Sequence, residues 1–581
     1  MMIQRTEVLE MQIESLKIEN YRGLTIDIKT IEEVALIIGQ NDSGKTNVCS
    51  AILKLLDYNH RRIPFVASDS TGCNLKPIII TAKLGLTNLS NEQSALVREY
   101  IHEKDNKKYI VVSIVSNFNN DTLIYEDTMY LGDPDQDFIE VRAEHQCAID
   151  KILSIIYINP SYDNKQDKKD FFKHKESNYI GSVEEGNRFS EKIENTIEIL
   201  NQNIQDEKAF KQIIDDINNF GSFDNIFEDI DMKLTPNIKL NNIFNSLDIT
   251  YQGKDGKEIN NIGDGKSKIL SMLLKSKTFD SEKQKIYIVE EPENHLYVLL
   301  QRLYVESLLE MKPSQLIITT HSPYTIDFER TKQIIKIAYN HESTERTVYL
   351  FNVNNNDFKE LGYLINSEIA EMLYYNSVLL VEGESEKYFY NLLMIKDNDF
   401  MKKIIDNKIG IFSVNGIAFK TVRKLLHKLG VKVMIKTDND IFKVQKTKNQ
   451  YRYAGLKRCI DYLDDCEKKN INDILGFEDV SNSENYKFMG KETLNPSIEA
   501  KMKDICNKLR EYNIYLQEHH DGFEKDFLDY IGLSENEYDE AFKNLKKAKL
   551  INLHEFITEN DIDISLNKEN RNSILVSFYG N

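Results

Sequence analysis

The stretch Gly39-Gln-Asn-Asp-Ser-Gly44-Lys45-Thr46 constrains the fold more than any other feature of the chain. It satisfies G-x-x-x-x-G-K-[ST], directly after the apolar run Val34 to Ile38 and directly before the helical pattern NVCSAILKLL. A glycine-rich turn between strand and helix lets backbone N–H groups curl around phosphate oxygens at the positive end of the helix dipole. Gly39, Asn41, Ser43 and Gly44 would form that cradle, Lys45 would reach the outer phosphates and Thr46 would hold Mg²⁺. The bland alternative is a chance glycine turn, and both flanking elements argue against it.

A nucleotide site of this kind needs an acid at the end of a strand, and KIYIVEEPENHL supplies Glu290 and Glu291. Glu290 is expected to hold Mg²⁺, where Asp is more usual, and Glu291 to polarise the attacking water. QLIITTHSP places His321 at another strand end, where a histidine can sense the γ phosphate. Upstream, Asn261-Ile-Gly263-Asp264-Gly265-Lys266-Ser267 is a glycine-rich turn opening a helix, with backbone donors for a phosphate. This order of motifs is that of ATP-binding-cassette ATPases, in which the turn of one subunit completes the nucleotide site of another. A dimer follows from that arrangement.

With 581 residues the chain is expected to hold about three to five structural units. Hydrophobic residues at 41% and charged residues at 29% are the balance of a soluble globular protein. Lys and Arg number 74 against 93 Asp and Glu, a formal charge of −19, which argues against a protein that coats DNA. It does not argue against a DNA enzyme, because a site of metal-binding carboxylates is itself acidic. Six cysteines without a C-x-x-C pair suggest neither a zinc ribbon nor a disulfide framework, and fit a reducing, intracellular setting. The N-terminus has no apolar signal region and the longest apolar runs are too short to span a bilayer, so a cytoplasmic protein without a membrane partner is expected.

The expected class is α/β. Residues 1–182 read as the N-terminal part of an ATPase domain, with a helical piece around Glu92 to Glu103. Residues 183–235 read as a helical insertion carrying Ile193, Ile197, Leu200 and Ile204 at spacings of three and four, either a layer on the main core or a dimerisation element. Residues 236–365 complete the ATPase domain, and 366–581 form a second, Rossmann-like domain.

In that second domain SVLLVE, IGIFSVNG and VKVMIKTDND are strands separated by helical patterns, a βαβαβ series with acids at the carboxyl ends of its first and third strands. Ligands of open parallel sheets bind at that edge. Glu382, Asp438 and Asp440, with Glu386 one helical turn on, would form a cluster that repels itself unless cations neutralise it. Such a cluster predicts divalent metal, and paired metals are the usual device for cutting phosphodiesters. Solvated acids at strand ends are the bland reading of any one of them. Residues 441–460 then carry Lys443, Lys446, Lys448, Arg452, Lys457 and Arg458 with no acid, and Tyr451 and Tyr453 interleaved. A basic run beside a metal site suits a DNA backbone, and a solvated loop is the alternative. Asp521, Glu524 and Asp526 could add a ligand, and Lys547 and Lys549 a cation for the leaving oxygen. His519 and His520 are left out of the site.

GQNDSGKT, GDGKSK, EEPENHL, TTHSP, LLVEGESEK and KTDND, in that order, resemble the OLD family of ATPase–Toprim nucleases over nearly the whole chain. IYINP, GDGKSKILS, IKTDND, GLKRC and IYLQE are similar to phrases of the endonuclease subunits of Gabija anti-phage systems. The resemblance implies a cassette-type (ABC-type) ATPase domain with an inserted dimerisation domain, then a Toprim domain that nicks or cuts double-stranded DNA with Mg²⁺ or Mn²⁺. By position, Glu382, Asp438, Asp440, Asp521 and Lys549 fall on the family's nuclease residues and His321 on its ATPase histidine. A short insertion near Asp521 leaves Asp521, Glu524 and Asp526 competing for one role, and Glu290 in place of the usual Asp bears on hydrolysis more than on ATP binding. The resemblance also implies dimers or tetramers and a helicase-like GajB partner. Two rivals stand beside this reading: a chromosome-maintenance ATPase that clamps DNA without cutting it, and a nucleotide sensor with an inactive nuclease fold.

Overall fold

The computed structural model describes residues 10–87, 91–132, 138–159, 168, 230–236, 247–253, 258–259, 263–278, 283–326, 330–339, 345–353, 367–414, 419–490, 493–531, 535–547 and 549–559. The chain divides into two compact units, Met1–Asn354 and Asn355–Asn581. The boundary expected at 365/366 lies outside the described residues.

The first unit holds two large sheets. One is antiparallel, with Leu24–Ile28, Glu10–Tyr21, Ile78–Thr87, Lys107–Asn119, Ile124–Leu131 and Ile139–Arg142 in spatial order. The other contains β1 (Val34–Ile38), β2 (Leu153–Ile158), β3 (Gln284–Glu290), β4 (Gln315–Thr320), β5 (Gln333–Tyr339) and β6 (Arg346–Asn352), ordered β6-β5-β1-β4-β3-β2. All its neighbours are parallel except β6, which runs antiparallel to β5. Helix α1 (Lys45–Leu56) buries Val48, Cys49, Ala51, Ile52, Leu53, Leu55 and Leu56, more than one stripe of its surface. A helix apolar most of the way round must be covered on both sides, and one continuous core joins α1 to Ile18, Ile80 and Ile114 of the antiparallel sheet and to Ile37, Ile288 and Ile317 of the parallel one.

Two expectations are corrected. The piece from Glu92 to Glu103 is a helix only over Asn91–Val97; a single turn follows, and His102–Lys104 is a strand paired with Lys107–Asn119. Asp105 and Asn106, at φ of 53° and 59°, make the tight hairpin turn, which favours residues tolerant of positive φ. Of the helical insertion, 183–229 lies outside the described residues, whereas Ile230–Pro236 is a strand paired with Leu247–Gly253. The alternation of Ile230, Met232 and Leu234 carried that signal.

The second unit is built on β7 (Ser377–Val381), β8 (Ile409–Ser413), β9 (Lys432–Thr437) and β10 (Ile514–Leu516), a parallel sheet in the order β8-β7-β9-β10. Its helices include α2 (Glu384–Lys396), α3 (Phe419–Lys428), α4 (Ala454–Tyr462) and α5 (Phe523–Ile531). β7 and β9 are buried along almost their whole length, as expected of parallel strands covered on both faces. Phe389 on α2 meets Phe523 and Phe527 on α5 edge to face, at centroid distances of 5.7 and 5.8 Å. Such contacts add to the burial of the rings and seat α5 beside the sheet. A small antiparallel ribbon, Ile441–Lys443, Gln450–Tyr453 and Lys487–Met489, leaves the sheet directly after Asp440.

Candidate nucleotide site and carboxylate cluster

The strand order of the first unit explains its site. β1 ends at the phosphate loop, β4 beside it ends at His321, and β3 beside β4 ends at Glu290 and Glu291. Gly44 has φ of 104°, and a β-carbon there would lie 2.6 Å from Leu24 Cδ2. A β-carbon on Gly39 would stand 2.5 Å from the Ile337 carbonyl oxygen. Gly44 is thus demanded by backbone shape and by space, and Gly39 by space. A cavity of about 850 Å³ is lined by Asn41, Gly44, Lys45, Thr46, Glu291, His321 and Arg346, among others. That size and this polar lining suit a nucleotide.

Lys45 donates to the carbonyl oxygens of Gly39 at 3.0 Å and Gln40 at 2.9 Å. Burial lowers its ammonium to about 8, although Glu291, Glu293 and Glu290 oppose the shift. Glu290, 2% exposed, accepts from the Tyr157 hydroxyl. Glu291 receives Asn294 Nδ2 at 2.9 Å and faces His321 Nε2 at 2.9 Å.

Three more side chains shape the site: Glu293 inside EEPENHL, Lys268 at the end of GDGKSK, and Arg346, which lies in no motif. Glu293 accepts from Thr320 Oγ1 at 3.0 Å and from the backbone N–H of Ser322 at 3.1 Å, so it fixes the turn that presents His321. Lys268, on the helix Asp264–Thr278, donates to the Glu291 carbonyl at 2.7 Å and the Asn294 carbonyl at 3.3 Å; burial lowers it to about 8. Arg346 on β6 donates to the Ser43 carbonyl at 2.9 Å and also reaches the Gly23 carbonyl, clamping the phosphate loop from behind. A lysine in the buried face of an apolar helix was a visible signal for Lys268; nothing local marked Arg346. Gly263 is open to its surroundings, whereas a β-carbon on Gly265 would stand 3.0 Å from the His295 carbonyl oxygen, so Gly265 serves close packing against the EEPENHL loop.

In the second unit β7 and β9 are adjacent, which brings Glu382 to the loop after β9. Glu382 Oε2 accepts from Thr437 Oγ1 at 3.0 Å and from the Asp438 N–H at 3.2 Å. Glu386 turns back on its own helix start, its Oε2 accepting the N–H groups of Glu382 at 2.8 Å and Gly383 at 3.0 Å. It therefore shapes the loop that carries Glu382. Asp438 is 9% exposed and its Oδ1, buried, makes no hydrogen bond. Burial first, then the charges of Glu386, Glu382 and Asp440, push the Asp438 carboxyl up; burial likewise pushes Glu386 up.

Among the three competing acids, Glu524 is the one beside Asp438. A β-carbon on Gly522 would lie 3.1 Å from Glu524 Oε2 and 3.2 Å from Asp438 Oδ2, so the two carboxylates flank one small space. Asp526 is engaged by Lys436 at 2.9 Å, His519 at 2.9 Å and Gln517 at 2.7 Å. Burial would raise its pKa, but Lys436 and His519 outweigh it and hold the carboxyl well below its usual range. Asp521 is exposed. Lys549 opens the helix Lys549–Glu559, and its side chain lies outside the described residues. Lys436, the first residue of KTDND, is a further cation, buried in β9 at 2.9 Å from Asp526 and 3.8 Å from Glu386. His519 binds Asp526, and His520 contacts the Asn439 carbonyl oxygen and Glu499, so both support the acidic loop from outside the cluster.

The basic run divides. Lys443, Lys446, Lys448 and Arg452 are exposed on or beside the ribbon. Lys457 pairs with Asp461, Tyr453 is fully buried, and Arg458 turns inward to Glu382 and Asp440. Among the described residues no three His, Cys, Asp or Glu side chains stand gathered as a metal-ligand set. The donors nevertheless suit a divalent cation: hard carboxylate oxygens from two adjacent strand ends, one of them buried without a donor.

A phosphate-loop ATPase unit followed by a parallel-sheet unit with acids at its carboxyl edge is the class these sites define. The AAA ATPase domain family matches residues 11–326, and the "Overcoming lysogenization defect protein-like, TOPRIM domain" family matches residues 373–440. The chain belongs to the AAA ATPase domain family and, with its TOPRIM unit, to the OLD-like ATPase–TOPRIM proteins of the GajA kind. It is 26% identical over 578 residues to "Endonuclease GajA" of Bacillus cereus (strain VD045), covering 94% of this chain and 95% of that protein. To "Endonuclease GajA" of Bacillus cereus (strain HuB5-5) it is 22% identical over 641 residues, covering 92% of this chain and 86% of that protein. A solved structure of the SmcHead bound to the C-winged helix domain of ScpA is similar at a TM-score of 0.37 and 16% identity, covering 59% of this chain and 98% of that one.

Proposed function

We propose that this protein is a divalent-metal-dependent DNA endonuclease, controlled by ATP bound at its first unit and acting in defence against phage. The observation that carries the reading is the placement of Glu382, Asp438 and Asp440 at the ends of two adjacent strands, with a buried Asp438 oxygen left without a donor. Arg458 pairs with Glu382 and Asp440 but not with the Asp438 carboxylate, whose buried charge calls for a cation of its own. The likeness to proteins named Endonuclease GajA over more than nine-tenths of the chain supports the same activity.

Glu382, Asp438 and Asp440 would hold Mg²⁺ or Mn²⁺, with Glu524 or Asp521 as the further acid; the ion would supply charge neutralisation at the phosphate and a more acidic water. Glu386 keeps the Glu382 loop in shape, and Lys549 is assigned to the leaving oxygen. The exposed Lys443, Lys446, Lys448 and Arg452 offer a phosphate-binding edge that begins just past the acidic loop. At the first unit Lys45 and the loop N–H groups would hold the ATP phosphates, Thr46 and Glu290 its Mg²⁺, and Glu291 with His321 would orient water at the γ phosphate. Homo-oligomerisation, a helicase-like GajB partner and a cytoplasmic location belong to the same reading. Among the described residues no helix is long and apolar enough to cross a membrane.

Nicking of supercoiled plasmid with Mg²⁺ or Mn²⁺ tests it, comparing wild type, Glu382→Ala and Lys45→Ala with and without ATP. Cleavage lost in Glu382→Ala and an ATP response lost in Lys45→Ala are expected. Cleavage retained in Glu382→Ala would move the nuclease site elsewhere. No cleavage by wild type under any condition would favour a DNA-clamping ATPase.

A further inference from the structure

We propose that Arg458 is a built-in counter-cation of the carboxylate cluster, occupying the space between Glu382 and Asp440 and competing there with the divalent metal. The inference rests on the metal-site reading above and adds a residue that sets how tightly the ion binds.

The contact is directed by the backbone. Helix α4 begins against the acidic loop: the N–H groups of Ala454 and Gly455 donate to the Asp440 carbonyl at 2.8 and 3.1 Å. A β-carbon on Gly455 would stand 2.1 Å from the Asp438 carbonyl oxygen and 2.7 Å from Asn439 Cα. Only glycine permits that approach, so the register of α4 on the loop is set by sterics. Arg458 lies one helical turn on, on the same face. Its Nη1 donates to Glu382 Oε1 at 2.9 Å, while Nη2 reaches Asp440 Oδ2 at 3.0 Å and the Asp438 carbonyl at 3.4 Å.

One feature distinguishes this from an ordinary structural ion pair. The guanidinium bridges the Glu382 and Asp440 carboxylates but touches only the backbone of Asp438, leaving Asp438 Oδ1 without a donor. One positive charge thus serves two acids and leaves the third unserved. The Arg458, Glu382 and Asp440 side chains are 26%, 22% and 29% exposed, so all three reach solvent and an ion has an approach to the two carboxylates. A monovalent guanidinium and a divalent ion within a few ångströms repel each other, and both seek the same oxygens.

The test is Mn²⁺ binding to the full chain without nucleotide, followed by the electron paramagnetic resonance of free Mn²⁺, for wild type, Arg458→Gln and Glu382→Ala. Arg458→Gln is expected to bind Mn²⁺ about tenfold more tightly, within the ordinary range of coupling between two ligands. Its metal-free thermal midpoint should fall, and its rise on adding Mn²⁺ should exceed that of wild type. Should Arg458→Gln not fold, Arg458→Lys, which cannot span both carboxylates, replaces it with a smaller rise in affinity expected. Mn²⁺ binding that depends on Glu382 but is unchanged or weaker without Arg458 would overturn this inference alone. Binding that is absent, or indifferent to Glu382, would overturn the metal-site reading with it.

Discussion

His321 Nε2 lies 2.9 Å from Oε1 of Glu291, and the two residues follow adjacent parallel strands, β4 and β3. Glu291 is also held by Asn294 Nδ2 at 2.9 Å, and its φ of 46° shows a backbone turned sharply at the strand end. On the proposed reading, a carboxylate so placed at the edge of the cavity would act on a water.

Glu291→Gln keeps this shape and would remove the proposed base. ATP hydrolysis is expected to fall by roughly 10²- to 10⁴-fold, with binding of a fluorescent ATP analogue retained. Phosphate release and fluorescence titration separate the two. Equal loss of both would make Glu291 part of the nucleotide cradle.

Gly455→Ala places a methyl 2.1 Å from the Asp438 carbonyl oxygen. Helix α4 must then shift off the acidic loop, at a cost of about 1–3 kcal/mol by analogy with overpacked cores. A lower thermal midpoint with loss of plasmid cleavage is the expected outcome; wild-type values for both would mean that the loop and helix adapt freely.

Glu524 and Asp521 are separated by one comparison. Glu524 borders Asp438 across Gly522, and Asp521 is exposed. Glu524→Gln should therefore abolish or strongly reduce cleavage, while Asp521→Asn should stay near wild type. The reverse pattern would restore the assignment made by position in the family.

Lys268 gives a pH prediction for the first unit. Burial lowers its pKa from 10.5 to about 8, so between those values the unfolded chain binds more protons than the folded one. Stability from this group is then fully present above 10.5 and is lost as pH falls toward 8, by at most roughly 3 kcal/mol. Thermal midpoints measured from pH 7.5 to 10 should rise more with pH in wild type than in Lys268→Met. Parallel curves would show that Lys268 does not titrate in this range.

Much of the nucleotide site is legible in the amino-acid sequence. Gly39 to Thr46, Glu290, Glu291 and His321 sit at strand ends because local apolar runs end there, and local periodicity reports strand ends well. Glu382 and Asp438 are legible for the same reason, helped by the right-handed crossover that sets β7 beside β9. The roles of Glu293, Arg346 and Lys436 are not, although EEPENHL contains the first and KTDND the last, because each acts on a partner far along the chain. The basic run shows the difference within twenty residues. Its composition suggests one solvated DNA-binding stretch, yet the helical start at Ala454 rotates Arg458 inward and leaves Arg452 outside.

Sequence by itself determined where the motif-bearing strands end and the order of their turns and acids, since these follow from the periods of the polypeptide and from glycines where positive φ or close approach is required. Tertiary structure alone decided which charges meet. Whether Arg458 faces DNA or Glu382, and whether Glu524 or Asp526 borders Asp438, depends on how α4 and α5 seat against the sheet. That seating is governed by sterics such as the close approach at Gly455, 17 positions from Asp438, and by aromatic packing of Phe389 on Phe523, 134 positions on.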